Sequence, residues 1–269
     1  MTMVPSVLLK FLFPPPPSLF VAAMSVITFV SQANAGFSEI RGKHLQYSKF
    51  VNVNPTGSGR TQIKISSKTG MVLFYSPALL AGVASFWIFP HEGLRSTILH
   101  SAIALHFFKR VFEALFVHKY SGSIVLDSAI PISLSYFLAA STMIYAQHLT
   151  QGLPDPPIDL MYPGIVLFLV GITGNFYHHY LLSKLRGKDE KEYKIPKGGL
   201  FGFVICPHYL FEIIGFIGVS FISQNLYSFA YASGATCYLM GRSYMTRKWY
   251  LSKFEDFPNH VKALIPFVF

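Results

Sequence analysis

Four short stretches set ionisable side chains inside otherwise apolar sequence, and their residue types limit the chemistry each could do. The stretch "ICPHYLFEI" holds His208, Tyr209 and Glu212. Pro207 suits the first turn of a helix, which places His208 and Tyr209 near a helix start and Glu212 at the i+4 position from His208. A phenol beside an imidazole and a carboxylate can donate a proton to a polar oxygen, and the same groups can equally form a pair that holds a kink. In "LHFFKRVFEALFVHKY", Arg110 and Glu113 have the i,i+3 spacing of an intrahelical ion pair, which either braces a helix end or borders a polar cavity. "GNFYHHYLLSKLRGKDEKEYKIPKGG" offers Asn175, His178 and His179 ahead of Arg186. Adjacent histidines on a helix point about 100° apart. Cys or carboxylate ligands are not near them in sequence, so no metal is expected. "GRSYMTRKWYLSKFEDFPNHVKALIPFVF" puts Arg242 at the expected membrane edge with Tyr250 two turns later, and a tail snorkelling its cations at an interface would look alike.

The elements that position these groups are membrane helices. The 269 residues are 52% hydrophobic and 13% charged, where a soluble domain carries roughly 25% charged residues. Apolar blocks fall near 18–36, 72–90, 96–117, 125–148, 161–183, 200–222 and 226–243. Each approaches the ~20 residues a helix needs to cross a bilayer. The expected fold is an all-α, polytopic, seven-transmembrane-helix bundle, a single membrane-embedded domain over 1–269 with no soluble domain left over. An ionisable residue within such a span is costly and points to function.

The formal charge of +10 is gathered in three loops, 41–68, 184–197 and the tail after 242, rather than in a soluble basic domain, which argues against nucleic acid. Seven spans put these loops on one side, cytosolic by the positive-inside rule, with a lumenal N-terminus and a cytosolic C-terminus. The opposite side receives "TQGLPDPPIDL" with Asp155 and Asp159. Cys206 and Cys237 show no CxxC or zinc spacing and are expected to be packing thiols. Ala33-Asn34-Ala35 has an A-x-A pattern, but its loss would leave six spans and spoil the charge alternation, so retention as a first span is expected. GxGxxG, GxxxxGK, HExxH and GxSxG motifs do not occur.

At these residues the chain resembles the steroid 5α-reductase family, whose C-terminal region is shared with trans-2-enoyl-CoA reductases and polyprenal reductases. The likeness is strongest over 172–269, in "NFYHHYLLSKLR", "EYKIPKGGLFGFV", "PHYLFEI" and "RKWYLSKFEDFPNHVKALIPF". Upstream, "RGKHLQYSKF" is similar to the GKH segment of steroid reductases, and "HFFKRVFEALFVHKYSG" to the enoyl-CoA reductases. The resemblance implies an endoplasmic reticulum protein that holds NADPH among its helices from the cytosolic side, without a Rossmann fold. It implies hydride transfer to the β-carbon of a C=C bond conjugated to a carbonyl, while an acid polarises the carbonyl oxygen. By position it assigns cofactor contacts to Asn175, Arg186, Tyr193, Arg242 and Tyr250, with Glu212 bracing the nicotinamide end; guanidinium groups suit phosphates as paired donors.

The departures are specific. Steroid reductases keep a Glu and a Tyr near the substrate carbonyl, and the matching residues here are Tyr75 and Phe107. His179 and Thr246 replace an Asp and a His at cofactor positions, and His208 replaces an Asn. Tyr209 stands where the enoyl-CoA reductases keep their catalytic tyrosine, which makes it the first-choice acid and Tyr75 the second. The expected activity is NADPH-dependent reduction of a conjugated C=C bond in a lipid, with a 3-oxo-Δ4 steroid as leading substrate. A very-long-chain 2-enoyl-CoA or polyprenal is the alternative, and a lipid-binding membrane protein without catalysis is the non-enzyme reading.

Overall fold

The structure, a computed structural model, describes residues 7–15, 18–42, 63–90, 92–120, 122–185, 187 and 192–269. Among them are seven α-helices: α1 (Leu19–Ile40), α2 (Ser67–Ile88), α3 (Gly93–Phe112), α4 (Leu126–His148), α5 (Met161–Lys184), α6 (Pro207–Ser223) and α7 (Leu226–Lys253). Four of them, α1, α2, α4 and α5, are long and apolar enough to cross a membrane on length and composition alone, and α6 is a shorter apolar helix. The chain is thus a multi-pass membrane-type protein. One addition to the all-α expectation is a short antiparallel ribbon, β1 (Lys64–Ser66) with β2 (Ser123–Val125), in which Ile65 faces Ile124.

Local chemistry sets the helix ends. Ser18, Ser66 and Asn225 accept hydrogen bonds from the N–H groups of Val21, Thr69 and Ser228, which would otherwise be orphan donors of a first turn. Pro207 opens α6, where its missing N–H costs nothing. The apolar block that starts at 200 is therefore divided: Gly199–Gly202 form a 3-10 turn, and the α-helix begins only at Pro207. At the other end α3 does not stop at Phe112 but widens into a π turn, Glu113–Val117, with the His118 N–H on the Glu113 carbonyl at 2.8 Å.

Small residues let backbones approach. A methyl group on Gly171 of α5 would meet the Phe211 carbonyl oxygen at 2.7 Å, and one on Gly241 of α7 would meet the Gly36 Cα at 2.9 Å. α5 therefore lies along α6, and α1 along α7, while α2 packs on α3 and α4. Pro77 within α2 has no N–H to give the Leu73 carbonyl. Ser133 Oγ on α4 donates to that oxygen at 2.7 Å and pins the two helices.

The main core runs through the bundle and includes Phe74, Leu99, Ile144, Phe216, Ile222 and Tyr227. A second core, with Ile205, Ile213, Leu239, Tyr250, Phe257 and Leu264, exists because the tail folds back. The Ile205 N–H bonds the Lys262 carbonyl at 2.9 Å, the Lys262 N–H bonds the Phe203 carbonyl at 2.8 Å, and Arg247 Nε donates to the Val261 carbonyl at 2.7 Å. The tail is thus docked on the rest of the chain.

The end of the bundle opposite the tail is tied by two side chains. Arg95 donates to the Ile222 carbonyl at 2.9 Å and Gln224 Oε1 at 3.0 Å, and pairs with Asp159 at 2.9 Å and Asp155 at 3.3 Å. Gln224 Nε2 donates in turn to the carbonyls of Phe11 at 2.6 Å and Ile158 at 2.9 Å. Burial works against the Asp159 carboxylate, but the Met161 N–H and Arg95 outweigh it and hold its pKa below the ordinary value.

Candidate active site

A cavity of about 290 Å³ opens at the end of the bundle where α3, α5 and α7 finish and α2, α4 and α6 begin. Four cations, Arg110, Lys119, Lys194 and Arg242, line it. Of the expected site residues, Tyr75, His179, Tyr193, His208, Tyr209, Glu212, Arg242, Thr246 and Tyr250 all line this cavity. Arg186 lies outside the described residues, next to the lining residue Leu185. Asn175 sits one layer behind the wall. Its Nδ2 donates to the His208 carbonyl at 2.7 Å and lies 3.4 Å from Glu212 Oε2, and its Oδ1 accepts from Lys109. The close α5–α6 contact, permitted by Gly171, is what brings Asn175 to Glu212.

The adjacent histidines divide their work. His178 donates from Nδ1 to the Gly174 carbonyl at 2.7 Å and accepts the Leu200 N–H at Nε2, 3.1 Å away, so it anchors the 3-10 turn. His179 turns to the cavity, with Nδ1 at 3.0 Å from Glu113 Oε1. Glu113 is wholly buried and also pairs with Lys109 at 2.9 Å and Arg110 at 3.1 Å. A carboxylate so far from water is tolerable only with such partners. The Arg110–Glu113 pair is therefore both an intrahelical bridge and a border of the cavity.

The expectation that the histidines have no carboxylate near them is corrected here. Glu113 comes from α3, 66 positions before His179, through a tertiary contact that no linear spacing reveals. Glu113, His118 and His179 bring ligand-type atoms within 4.8 Å of one another. Lys109 and Arg110 already balance that carboxylate, so the group is an ion-pair network rather than a set of ligands waiting for a cation. Beyond the helix, His118 Nδ1 lies 3.0 Å from the Tyr120 hydroxyl. Burial first, and then the charged neighbours, hold the His118 imidazole far below its usual value, at about 2, and it is neutral at physiological pH.

The wall formed by α2, α3 and α4 carries groups that sequence reasoning left out of the site. Arg110 Nη2 donates to the Tyr75 hydroxyl, and the guanidinium stands 4.6 Å from the Tyr75 ring centroid. Tyr136 lines the same wall, its ring 5.4 Å from that of Tyr75. Phe107 is not a lining residue. It is buried behind Tyr136, ring to ring at 5.8 Å. Arg242 is 2% exposed and pairs with Glu39 of α1 at 2.7 Å. Glu39 carried a signal that was available, a carboxylate within an apolar span. Tyr136, in "ISLSYFLAAS", carried none.

Comparison with known proteins bears on this cavity. Residues 130–269 match the sequence pattern of the family described as 3-oxo-5-alpha-steroid 4-dehydrogenase. The 3-oxo-5-alpha-steroid 4-dehydrogenase 2 of Homo sapiens is 33% identical over 181 residues, 66% of this chain and 70% of that protein. The very-long-chain enoyl-CoA reductase of Dictyostelium discoideum is 33% identical over 174 residues, 61% of this chain and 55% of that protein. The pig (Sus scrofa) 3-oxo-5-alpha-steroid 4-dehydrogenase 2 is 41% identical over 106 residues, 39% of this chain and 42% of that protein.

Proposed function

The chain belongs to the 3-oxo-5-alpha-steroid 4-dehydrogenase family, and from that premise we propose that it reduces a C=C bond conjugated to a carbonyl in a membrane lipid, using NADPH. The enzyme is an oxidoreductase acting on CH–CH groups. The observation that carries the reading is convergence: residues from α2, α5, α6, α7 and the 192–206 segment line one cavity at the cation-rich end.

The donor set fits a dinucleotide. Arg242, with Lys119 and Lys194 on the same cavity, suits phosphates, and Tyr193 and Tyr250 offer aromatic faces to flat rings. Glu212, held through Asn175 to the His208 backbone, would brace the carboxamide end. When bound, the reduced nicotinamide supplies a hydride to the β-carbon of the substrate. The protein's part is to shield that carbon from water and to meet the negative charge that grows on the carbonyl oxygen. Of the tyrosines that line the cavity, Tyr209 and Tyr75 are the two that the sequence points to for that task. Tyr209 is on the α6 wall that would hold the cofactor. Tyr75 stands on the opposite wall with a guanidinium at its oxygen, which would stabilise the phenolate left after proton donation, and it is assigned as the acid.

A 3-oxo-Δ4 steroid is the leading substrate. A long trans-2-enoyl-CoA is the second reading, favoured by Tyr209 and by Phe107 lying behind the cavity instead of in its wall. The basic loops support a cytosolic C-terminus, a lumenal N-terminus and residence in the endoplasmic reticulum, with 1–269 working as one membrane domain. The test is purified protein in detergent with NADPH and, in separate reactions, a 4-en-3-one sterol, a long trans-2-enoyl-CoA and polyprenal, following cofactor oxidation and product mass. Turnover of one lipid class is expected, and turnover of none would leave the lipid-binding reading in its place.

A further inference from the structure

We infer that Tyr136 on α4 is a second catalytic phenol, which together with Tyr75 clamps the carbonyl oxygen of the substrate; the inference rests on the reductase reading above. Tyr136 lines the cavity, and among the described residues its hydroxyl has no hydrogen-bond partner. Its surroundings are rings: Tyr75 at 5.4 Å and Phe107 at 5.8 Å between centroids. A cavity-wall hydroxyl without a protein partner is available to donate to a ligand oxygen. The neighbouring groups on the wall are already engaged with one another, Tyr75 with Arg110 and Arg110 with Glu113.

Both phenols are held in place. The Ser133 to Leu73 hydrogen bond, 2.7 Å long, joins α4 to α2 within one turn of each tyrosine. Tyr75 accepts from Arg110 and turns its own proton to the Met71 sulfur, 3.9 Å away, a weak acceptor that a carbonyl oxygen would displace, and Tyr136 would donate to that oxygen from the neighbouring helix. Two donors aimed at one oxygen form an oxyanion site.

The step balances as follows. With the reduced nicotinamide held by the α5–α7 residues, a hydride delivered to the β-carbon would form a C–H bond there, and the C=C pair would move to make an enolate whose charge sits on the carbonyl oxygen. The Tyr75 O–H breaks as the enol O–H forms, leaving the electron pair on Tyr75 beside Arg110. Tyr136 keeps its proton and contributes a hydrogen bond. A proton from water restores Tyr75, and ketonisation puts one proton on the α-carbon while releasing the enol proton, so the substrate gains one hydride and one proton. In this scheme Arg110 acts on the substrate only through the Tyr75 oxygen, to which it donates.

Tyr136→Phe removes only the hydroxyl. Loss of one donor at an oxyanion site typically costs ~100-fold or more in kcat, and that loss is expected here, with the melting temperature and the KM for cofactor unchanged. A second readout needs no turnover: the infrared carbonyl stretch of a conjugated ketone or thioester bound to cofactor-free protein. The wild type should lower that frequency relative to apolar solvent, Tyr136→Phe should recover part of the difference, and Tyr162→Phe on the exposed face of α5 should recover none. Wild-type kcat together with an unshifted carbonyl band in Tyr136→Phe would overturn the inference while leaving the reductase reading intact. A wild-type protein that binds and reduces no conjugated carbonyl would remove both.

Discussion

The two walls of the cavity are built differently. The α5–α7 wall takes its residues from runs that lie close together in sequence, His179 to Tyr193, His208 to Glu212 and Arg242 to Tyr250. The α2–α4 wall takes one polar side chain from each of three helices, Tyr75, Arg110 and Tyr136. A dinucleotide is long, charged and always the same, so its cradle needs many fixed contacts on a stiff frame. A conjugated carbonyl asks for two or three donors at one point, and the rest of its wall can be apolar. On this view the first wall binds and the second one activates.

Glu113 joins the walls, since it pairs with Lys109 and Arg110 on α3 and with His179 on α5. Breaking it gives the largest effect. Glu113→Ala leaves two buried cations without their carboxylate, a change that costs about 3–5 kcal/mol, seen as a steep fall in thermal stability in detergent. A variant that melts like the wild type would mean that the walls are independent.

The next test sharpens the division of labour. Tyr75→Phe should lower kcat by ~100- to 1,000-fold with cofactor affinity unchanged. Arg242→Lys keeps a charge opposite Glu39 but loses the guanidinium fork, and should weaken NADPH binding by ~10-fold, with little change in kcat at saturating cofactor. Equal losses of cofactor affinity in both variants, measured by fluorescence titration, would erase the distinction. Smallest is Ser133→Ala, which strands the Leu73 carbonyl and should cost ~1 kcal/mol of stability. A modest drop in kcat should accompany it, because the two phenols lose their common anchor.

The contrast between the walls also explains what could be read from the sequence. Helices over the apolar blocks, the Pro207 start and the Arg110–Glu113 pair follow from local rules of hydropathy, capping and i,i+3 spacing. The α5–α7 wall was legible because its polar residues are clustered in the runs that carry the family resemblance, and eight of the expected site residues meet there. Tyr136 was not legible, since a tyrosine among Ser, Leu and Phe has no spacing that marks it, and only packing against Tyr75 and Phe107 gives it a place. The Glu113–His179 and Glu39–Arg242 pairs join residues 66 and 203 positions apart, so tertiary contact alone creates them. The docking of the tail was not legible for a related reason: its backbone partners, Phe203 and Ile205, are far from it in sequence and meet it only through the fold.

Whether this cavity transfers hydride to a lipid is read most directly with deuterium. NADPH fully deuterated at the nicotinamide C4 is given to the purified protein with a 4-en-3-one sterol and, separately, a long trans-2-enoyl-CoA, and the products are analysed by mass and NMR. One deuterium at the β-carbon of one product is the predicted result, with Tyr75→Phe forming the same labelled product ~100- to 1,000-fold more slowly. Cofactor left unoxidised with both lipids, or a reduced product whose β-hydrogen comes from water, would contradict it.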